Sequence, residues 1–582
     1  MQPNAPHVLT WVVSSQKRVF EYDEPTESFS GVSALRNEPV TFSLAFRSAG
    51  EREPCGRVPD VPISVSVLCD SLPVSVYRVA TVPLAASDCE DGDPHGIGAC
   101  PDILQPRSAQ PRIVRSGQKI FPFYEQGETH TLNASCAATR SVLITLNEEA
   151  TPVPAGEHTV TVQVTDLMTG ELFATHTVTV RVIDALLPDP EFLYTNWIHY
   201  DCLADDSGLP LWSDAYFELL GAYVGNAARH GMNTLLTPAF TPALDTPIGT
   251  ERQNVQLVGV CRRDGEYTFD FSLLERFVRL AREKGIRYFE HAHLFSQWGA
   301  ECAINIYGET EESGGETVRL FGWDTPADDP EYVKFLRSYL GALLEWIDGM
   351  GIGDDWLFHL SDEPKEQDLA HYRHAHSVVR ELLGDRRLGD ALSDYAFYQH
   401  GLCGLPIVDT AFADSFDGKC ESLMLYYTGG ERMPNLSNRL LTNTPRKTRV
   451  LGLHLFRYRA QGFLHWGYNY TYGRMSQGHC NPATDPGFYR NLPGVTYLVY
   501  PNGARPPYPS IREKQMREAL SDYRALKLLE SMIGYDATLT LCESVLGRPV
   551  DIVTIPASDG QMLALREAVN REIEKEQRKK QS

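Results

Sequence analysis

The hydrophobic pattern changes character once along the chain. Up to about residue 183 apolar positions alternate with polar ones, as at Ile63, Val65 and Val67 and again at Val160, Val162 and Val164. A period of two predicts half-buried strands. Val178, Val180 and Val182 repeat the alternation after Met168-Thr169-Gly170, which predicts a hairpin turn. Short strands broken by Pro, Gly and Asp, with no helical period between them, predict an N-terminal all-β sandwich over residues 1–185. Leu186-Leu187-Pro188-Asp189-Pro190 then predicts a stiff connector, because each proline fixes φ and removes a backbone donor.

Beyond it, strand-like and helix-like stretches alternate. Strands are predicted at 192–199, 232–238, 286–293 and 356–360, with further candidates at 388–392, 409–413, 423–427 and 462–468. Helices are predicted at 214–230, stopped by Gly231; at 271–284, capped by Asp270 and ended by Gly285; and at 330–348 and 511–530. Eight strands separated by helices predict an α/β domain, a (β/α)8 TIM-like barrel over residues 186–530, whose active site sits at the strands' C-terminal ends. An open doubly wound sheet is the alternative. Residues 531–582 form a C-terminal extension, and the tail from about residue 561, rich in Glu, Lys and Arg, predicts a solvated terminal helix that frays.

Composition narrows the function classes. In 582 residues, 53 Lys+Arg against 76 Asp+Glu leave a net charge of −23, which repels phosphate backbones and anionic lipid heads, so nucleic acid is not an expected partner. With 42% hydrophobic residues the chain can bury a sizeable core. The start, Met1-Gln2-Pro3-Asn4-Ala5-Pro6, has neither a basic cluster nor an apolar stretch, and no run approaches 18 apolar residues, which predicts a soluble, cytoplasmic protein with no membrane insertion. The 12 Cys are scattered singly with no Cys-x-x-Cys, so reduced thiols are expected rather than a zinc ribbon or a disulfide framework. There is no phosphate-binding Gly-rich loop, no dinucleotide fingerprint and no Gly-x-Ser-x-Gly elbow, and no cofactor is expected.

The sharpest chemical feature is Phe358-His359-Leu360-Ser361-Asp362-Glu363-Pro364, an apolar strand running directly into two adjacent carboxylates. Where a strand gives way to its loop, two neighbours can both lean into a barrel mouth. Glycoside hydrolysis needs a proton donor and a second, ionised group that stabilises positive charge at the anomeric centre. The same Asp-Glu-Pro at Asp23-Glu24-Pro25 follows polar text and sits in the sandwich, so context discriminates. A second cluster, Glu290-His291-Ala292-His293-Leu294-Phe295-Ser296-Gln297-Trp298, places His291 and His293 on one strand face; joined by His199 and Asp362 they would suit a metal-dependent hydrolase, the rival from another reaction class. Aromatics crowd the strand ends: Trp197 and Tyr200, Trp298, Tyr426 and Tyr427, then Trp466, Tyr468 and Tyr470. Sugar rings pack their C–H faces on such platforms, and Asn435 and Asn469 offer hydroxyl partners. A non-catalytic glycan-binding protein is the third reading, which loss of one carboxylate would have signalled.

The chain resembles glycoside hydrolase family 123 and its broad relatives, formerly catalogued as a domain of unknown function. The resemblance rests on Ser361-Asp362-Glu363-Pro364, on His293-Leu294-Phe295-Ser296-Gln297-Trp298-Gly299, on Gly462-Phe463-Leu464-His465-Trp466-Gly467-Tyr468-Asn469, and on Tyr500-Pro501 with Pro509-Ser510-Ile511-Arg512 and Leu520-Ser521-Asp522-Tyr523. Ala34-Leu35-Arg36-Asn37-Glu38 and Pro101-Asp102-Ile103-Leu104 carry it into the sandwich. It implies an exo-acting, retaining β-N-acetylgalactosaminidase that uses substrate-assisted catalysis through an oxazolinium intermediate on glycans ending in a β-N-acetylhexosamine. By the same resemblance Asp362 orients the acetamido group, Glu363 is the general acid and base, and Tyr426 or Tyr427 holds the acetamido oxygen. His293, Trp298, Asn435, Trp466, Tyr468 and Asn469 complete the expected substrate site. After Tyr427 the text Thr428-Gly429-Gly430-Glu431-Arg432-Met433-Pro434-Asn435 departs from the family's usual wording, so a barrel glycosidase of other sugar specificity is the alternative.

Overall fold

The computed structural model of the chain describes residues 8–49, 60–84, 98–106, 112–116, 119–123, 132–247, 249–429 and 435–581. The first residues of the chain and the 430–434 stretch singled out above lie outside the described residues.

The N-terminal alternation becomes two five-stranded sheets. One runs in the order Val8–Ser14, Val40–Ser48, Arg140–Leu146, Val74–Leu84, Gly98–Pro106; the other Gly31–Leu35, Leu172–Ile183, Gly156–Asp166, Val61–Leu68, Leu132–Ala134. The sheets face each other through one core that joins Phe42, Leu44 and Ile144 of the first to Val65, Val162 and Val180 of the second. Period-two burial is what a sheet with one wet face requires.

Eight parallel strands close the second unit into a barrel: β1 (Leu193–Asn196), β2 (Thr234–Thr237), β3 (Tyr288–His291), β4 (Trp356–Phe358), β5 (Arg387–Leu392), β6 (Leu405–Asp409), β7 (Met424–Tyr426) and β8 (Gly462–His465). Closure is made by β1 against β8, with Leu193 opposite Gly462 and Asn196 opposite His465. β6 begins four residues earlier than its pattern suggested, since Pro406 lies inside it and residues 410–416 are already helical.

The alternation with helices is uneven. Full-length crossovers are α2 (Asp214–Arg229), α3 (Ser272–Glu283), α4 (Pro330–Gly349) and α5 (Leu369–Leu383), preceded by the short α1 (Tyr200–Ser207). After β5 and β6 only α6 (Tyr395–Gln399) and α7 (Ala413–Phe416) remain, and α8 (Pro445–Arg449) with α9 (Leu451–Arg457) joins β7 to β8. Excursions after β2 and β3 pair into an added four-stranded sheet, Glu266–Asp270, Gly259–Arg263, Ile306–Thr310 and Thr317–Phe321, which the strand-helix pattern did not foretell. Among the described residues no helix is long and apolar enough to cross a membrane.

α10 (Ile511–Ile533) joins the units. Ser510 caps it by accepting Glu513 N–H at 3.0 Å, and its first turn enters the sandwich: Arg512 pairs with Asp102 at 3.0 Å, both fully buried, and Lys514 pairs with Glu148. α11 (Tyr535–Leu546) leads to α12 (Asp559–Gln581), which is not a solvated, fraying helix. Its Met562, Leu565, Val569 and Ile573 are buried, at the three- and four-residue spacing of a helical stripe. Other contacts reach the sandwich edge, where Glu567 accepts Ser33 N–H at 2.7 Å and Arg566 meets Glu38 just past that strand at 2.6 Å; Arg566 also meets Asp522 of α10 at 2.9 Å.

α9 and α10 touch through Gly452, where an added Cβ would fall 2.0 Å from the carbonyl oxygen of Ala519. That neighbour is backbone and cannot swing aside. Gly452→Ala is therefore expected to cost about 1–3 kcal/mol and lower the thermal midpoint by several degrees, read by scanning calorimetry; an unchanged midpoint would show that the two helices part freely.

Candidate active site

β4 ends beneath a turn that carries both candidate acids. Within a continued strand Asp362 and Glu363 would point to opposite faces. Glu363 has φ +44°, a left-handed conformation that costs a non-glycine residue about 1 kcal/mol or more, and this breaks the alternation. Both side chains then line one pocket at the C-terminal mouth of the barrel. On one side the segment after β3 holds the turn: Phe295 N–H donates to Leu360 O at 2.9 Å, Ser361 Oγ to Ser296 O at 2.7 Å, and Trp298 N–H to Asp362 O at 2.7 Å. On the other side, Glu363 N–H donates to Ala391 O at 2.9 Å and Leu360 N–H to the Asp390 carboxylate at 2.8 Å.

Aromatic side chains form the walls. Trp197, Trp298 and Trp466 line the cleft, and Tyr426 at the end of β7 donates its hydroxyl to Glu363 Oε1 at 2.7 Å. Trp466 is backed by Tyr470 and Tyr489, ring centres 5.2 and 5.3 Å away. Across the cleft Asp245, at φ +47°, accepts from Tyr470 Oη at 2.7 Å, Met475 N–H at 2.8 Å and Tyr489 Oη at 3.1 Å. This ties the loop after β2 to the loop after β8. Burial, with Glu363 and Asp390 close by, pushes the Asp362 carboxyl well above the usual carboxylate range.

A charged layer lies directly below. Trp197 Nε1 donates to Glu290 at 2.6 Å; His359 sits 3.5 Å from Glu290 and 3.5 Å from Asp390, and all three charged groups are buried. Burial works against the imidazolium, but the two carboxylates prevail and raise His359 to about 9. Burial raises the Asp390 carboxyl above its ordinary value, opposed by His359, Tyr372 Oη and Leu360 N–H, which favour its ionised form.

The other expected site residues divide. His293 lies beneath the pocket, its ring 5.4 Å from Trp197 and 5.0 Å from His359, and burial drives it neutral. Tyr427, next to inward-facing Tyr426, points out of the barrel and bonds Met516 Sδ on α10 at 3.4 Å. Tyr468 likewise faces outward, to Asn226 at 2.8 Å and Glu513 at 3.1 Å. Asn469 clamps the backbone of His199, accepting at 2.9 Å and donating at 3.1 Å. Asn435 stands in an exposed turn. These four therefore lie outside the cleft wall. His291 and His293 do not share a face: β3 ends at His291, whose Nε2 meets Tyr339 Oη on α4 at 2.7 Å, while His293 turns inward. His199 is 3.1 Å from Arg252, which pairs with Asp201 at 2.6 Å. Among the described residues no group of three or more His, Cys, Asp or Glu side chains is arranged to hold a metal ion.

Sequence reasoning missed Asp245, Tyr489, Arg490 and the Glu290–His359–Asp390 layer. Glu290 and Asp390 did leave a trace, since each is a carboxylate inside an otherwise apolar barrel strand, a placement that demands a partner. Arg490 and Asn491, at φ +53° and +55°, left none.

Two neighbouring carboxylates under indole walls, in the mouth of a closed parallel barrel, are the equipment of a hydrolase that cleaves glycosidic bonds. The profile described as "Glycoside hydrolase 123, catalytic domain" matches residues 197–529, and the chain belongs to this family. Among solved structures, a family 123 glycoside hydrolase from Clostridium perfringens, studied for glycolipid glycan hydrolysis, is 12% identical with TM-score 0.69, over 98% of this chain and 99% of that one. It supports the fold across both units. A family 39 glycoside hydrolase from Bacteroides cellulosilyticus WH2, 10% identical over 79% of this chain and 80% of its own, has TM-score 0.30 and carries no argument. A search of curated proteins found no match.

His359 also makes a stability prediction. Its folded value of about 9 exceeds the ordinary 6.5, so its stabilisation is complete below 6.5 and is lost as pH rises through 9. The thermal midpoint is expected to fall across that window, by a component of up to about 3 kcal/mol that His359→Gln lacks, followed by differential scanning fluorimetry.

Proposed function

We propose that the chain is an exo-acting, configuration-retaining β-N-acetylgalactosaminidase working by substrate assistance on glycans that end in a β-N-acetylhexosamine. The observation that carries this reading is the adjacent pair, Asp362 and Glu363, opening into one aromatic-walled cleft. An ordinary retaining glycosidase needs a second carboxylate free to attack the anomeric carbon from across the cleft. Among the described residues the other acid that lines this cleft is Asp245, which accepts from two phenol hydroxyls and a backbone N–H, and this disfavours it as a nucleophile.

In the proposed reaction Asp362 accepts the N–H of the 2-acetamido group, and the acetamido oxygen attacks C1 as the glycosidic bond breaks. Glu363, held by Tyr426, gives its proton to the departing oxygen. The oxazolinium ion carries the positive charge beside the Asp362 carboxylate. Water then attacks C1, Glu363 takes back a proton, and ring opening restores the acetamido group with the original anomeric configuration. Intramolecular attack gains from proximity without a covalent enzyme bond. Trp197, Trp298 and Trp466 would pack against the sugar's C–H faces. Burial, with Glu363 and Asp390 close by, pushes the Asp362 carboxyl up. The substrate's amide N–H would favour the Asp362 carboxylate and leave the proton on Glu363, where the leaving group needs it.

Glu363→Gln and Asp362→Asn are each expected to lower turnover of an aryl N-acetyl-β-galactosaminide by at least about 10²-fold. Unchanged turnover in both would remove the pair from the chemistry. Substrate assistance further requires that the matching aryl β-galactoside, which lacks the acetamido group, be inert and that a thiazoline mimic inhibit; efficient galactoside cleavage would overturn the mechanism while leaving the family intact. Because Tyr426 holds Glu363, Tyr426→Phe should reduce kcat by about 10-fold with unchanged folding, compared by steady-state kinetics and circular dichroism.

A further inference from the structure

Barrel interiors are ordinarily filled by branched aliphatic side chains. Here the layer beneath the cleft is charged. Glu290 on β3, His359 at the end of β4 and Asp390 on β5 are 0 to 1% exposed and meet at 3.5 Å on either side of the imidazole. Both ends of the array reach the cleft by direct bonds. Glu290 accepts the indole N–H of Trp197, a wall of the cleft, at 2.6 Å. Asp390 accepts the backbone N–H groups of Leu360 and Ser361, the two residues that lead into Asp362, at 2.8 and 3.2 Å. A sugar platform and the acid-bearing turn are thus the two ends of one buried chain of contacts with His359 at its centre.

We propose that His359 is a positioning residue for the reaction: clamped between Glu290 and Asp390, its imidazolium fixes the Trp197 platform relative to the Asp362-Glu363 turn and sets the field in which the acid pair holds its proton. The proposal rests on Asp362 and Glu363 being the acting pair. Two carboxylates and one imidazolium leave a net negative charge under the pair, and replacing any member changes that charge by one unit without touching the sugar. The groups facing His359 are Glu290 from β3, Asp390 from β5, the neutral ring of His293 at 5.0 Å from the segment after β3, and Asp362 of its own turn. Removing the cation must make both acids harder to ionise; removing either buried carboxylate must make them easier to ionise.

The test uses the full chain and whichever aryl glycoside the wild type cleaves, with His359→Gln, Asp390→Asn and Glu290→Gln compared by pH profiles of kcat/KM. In His359→Gln the whole profile is expected to move to higher pH by at least about half a unit, and in Asp390→Asn and Glu290→Gln to lower pH by a similar amount. His359→Gln should also lose about 10-fold or more in kcat, a larger change than in KM, since the platform and the acid-bearing turn lose their fixed relation. Equal profiles in all variants, or displacement in one common direction, overturn the proposal, as does full activity per folded molecule with only a lowered thermal midpoint. Should a carboxylate variant not fold, opposite shifts of His359→Gln and the other carboxylate variant decide the matter; should His359→Gln not fold, a shift to lower pH in both carboxylate variants supports the proposal and an unchanged or higher-pH profile overturns it. Failure of the catalytic assignment would show separately, as wild-type turnover in Asp362→Asn and Glu363→Gln.

Discussion

The left-handed backbone at Glu363 is the constraint on which the candidate active site depends, and hydrogen bonds from two directions enforce it. The segment after β3 grips the turn through Phe295, Ser296 and Trp298, and β5 grips it through Asp390 and Ala391. A turn held from one side could relax to an ordinary conformation, and the acids would then diverge. Strain of this kind persists only where the surroundings over-determine it. The same bonds place Trp298, itself at φ +60°, against the cleft, so both carboxylates and an indole wall are set by one piece of local geometry.

A second level of constraint lies where the two units and the last helix meet. Arg512 with Asp102, Lys514 with Glu148, and Arg449 and Arg566 around Asp522 are ion pairs taken out of water. Such pairs add little net stability over apolar packing, but leaving one partner alone costs about 3–5 kcal/mol. They therefore act as registration pins. α10 carries several of them and also bounds the barrel where Tyr427 and Tyr468 turn outward and Asn226 of α2 meets Glu513, so the sandwich and the barrel share one wall.

Much of the barrel was legible because its strands are short apolar runs bounded by helix signals, and the acid pair was legible because it interrupts such a run at its end. The four-stranded insertion was hidden, since its strands pair across two separate excursions and Thr317–Phe321 is mostly exposed, leaving little apolar pattern. α12 was misread because charges dominate its composition, while its stripe of Met562, Leu565, Val569 and Ile573 follows the spacing of a packed face. Tyr427 showed the limit of reading aromatics by proximity to a strand end, since neighbours on a strand point opposite ways and only Tyr426 of that pair reaches the cleft, while Tyr468 and Asn469 lie past the end of β8, where alternation no longer assigns a face. Asp245 owes its place to loop conformation, for which period and propensity offer no signal.

The docking of α12 on the sandwich edge has a consequence for biosynthesis. Ser33 offers its backbone N–H to Glu567, and Asn570 donates to its hydroxyl at 2.9 Å, so a strand near the start of the chain receives its cover from residues more than 500 positions later. At translation speeds of 5–20 residues per second, that edge stays bare on the ribosome for roughly half a minute to two minutes. During this interval the nascent sandwich presents an unpaired border to other chains, until α12 emerges and closes it.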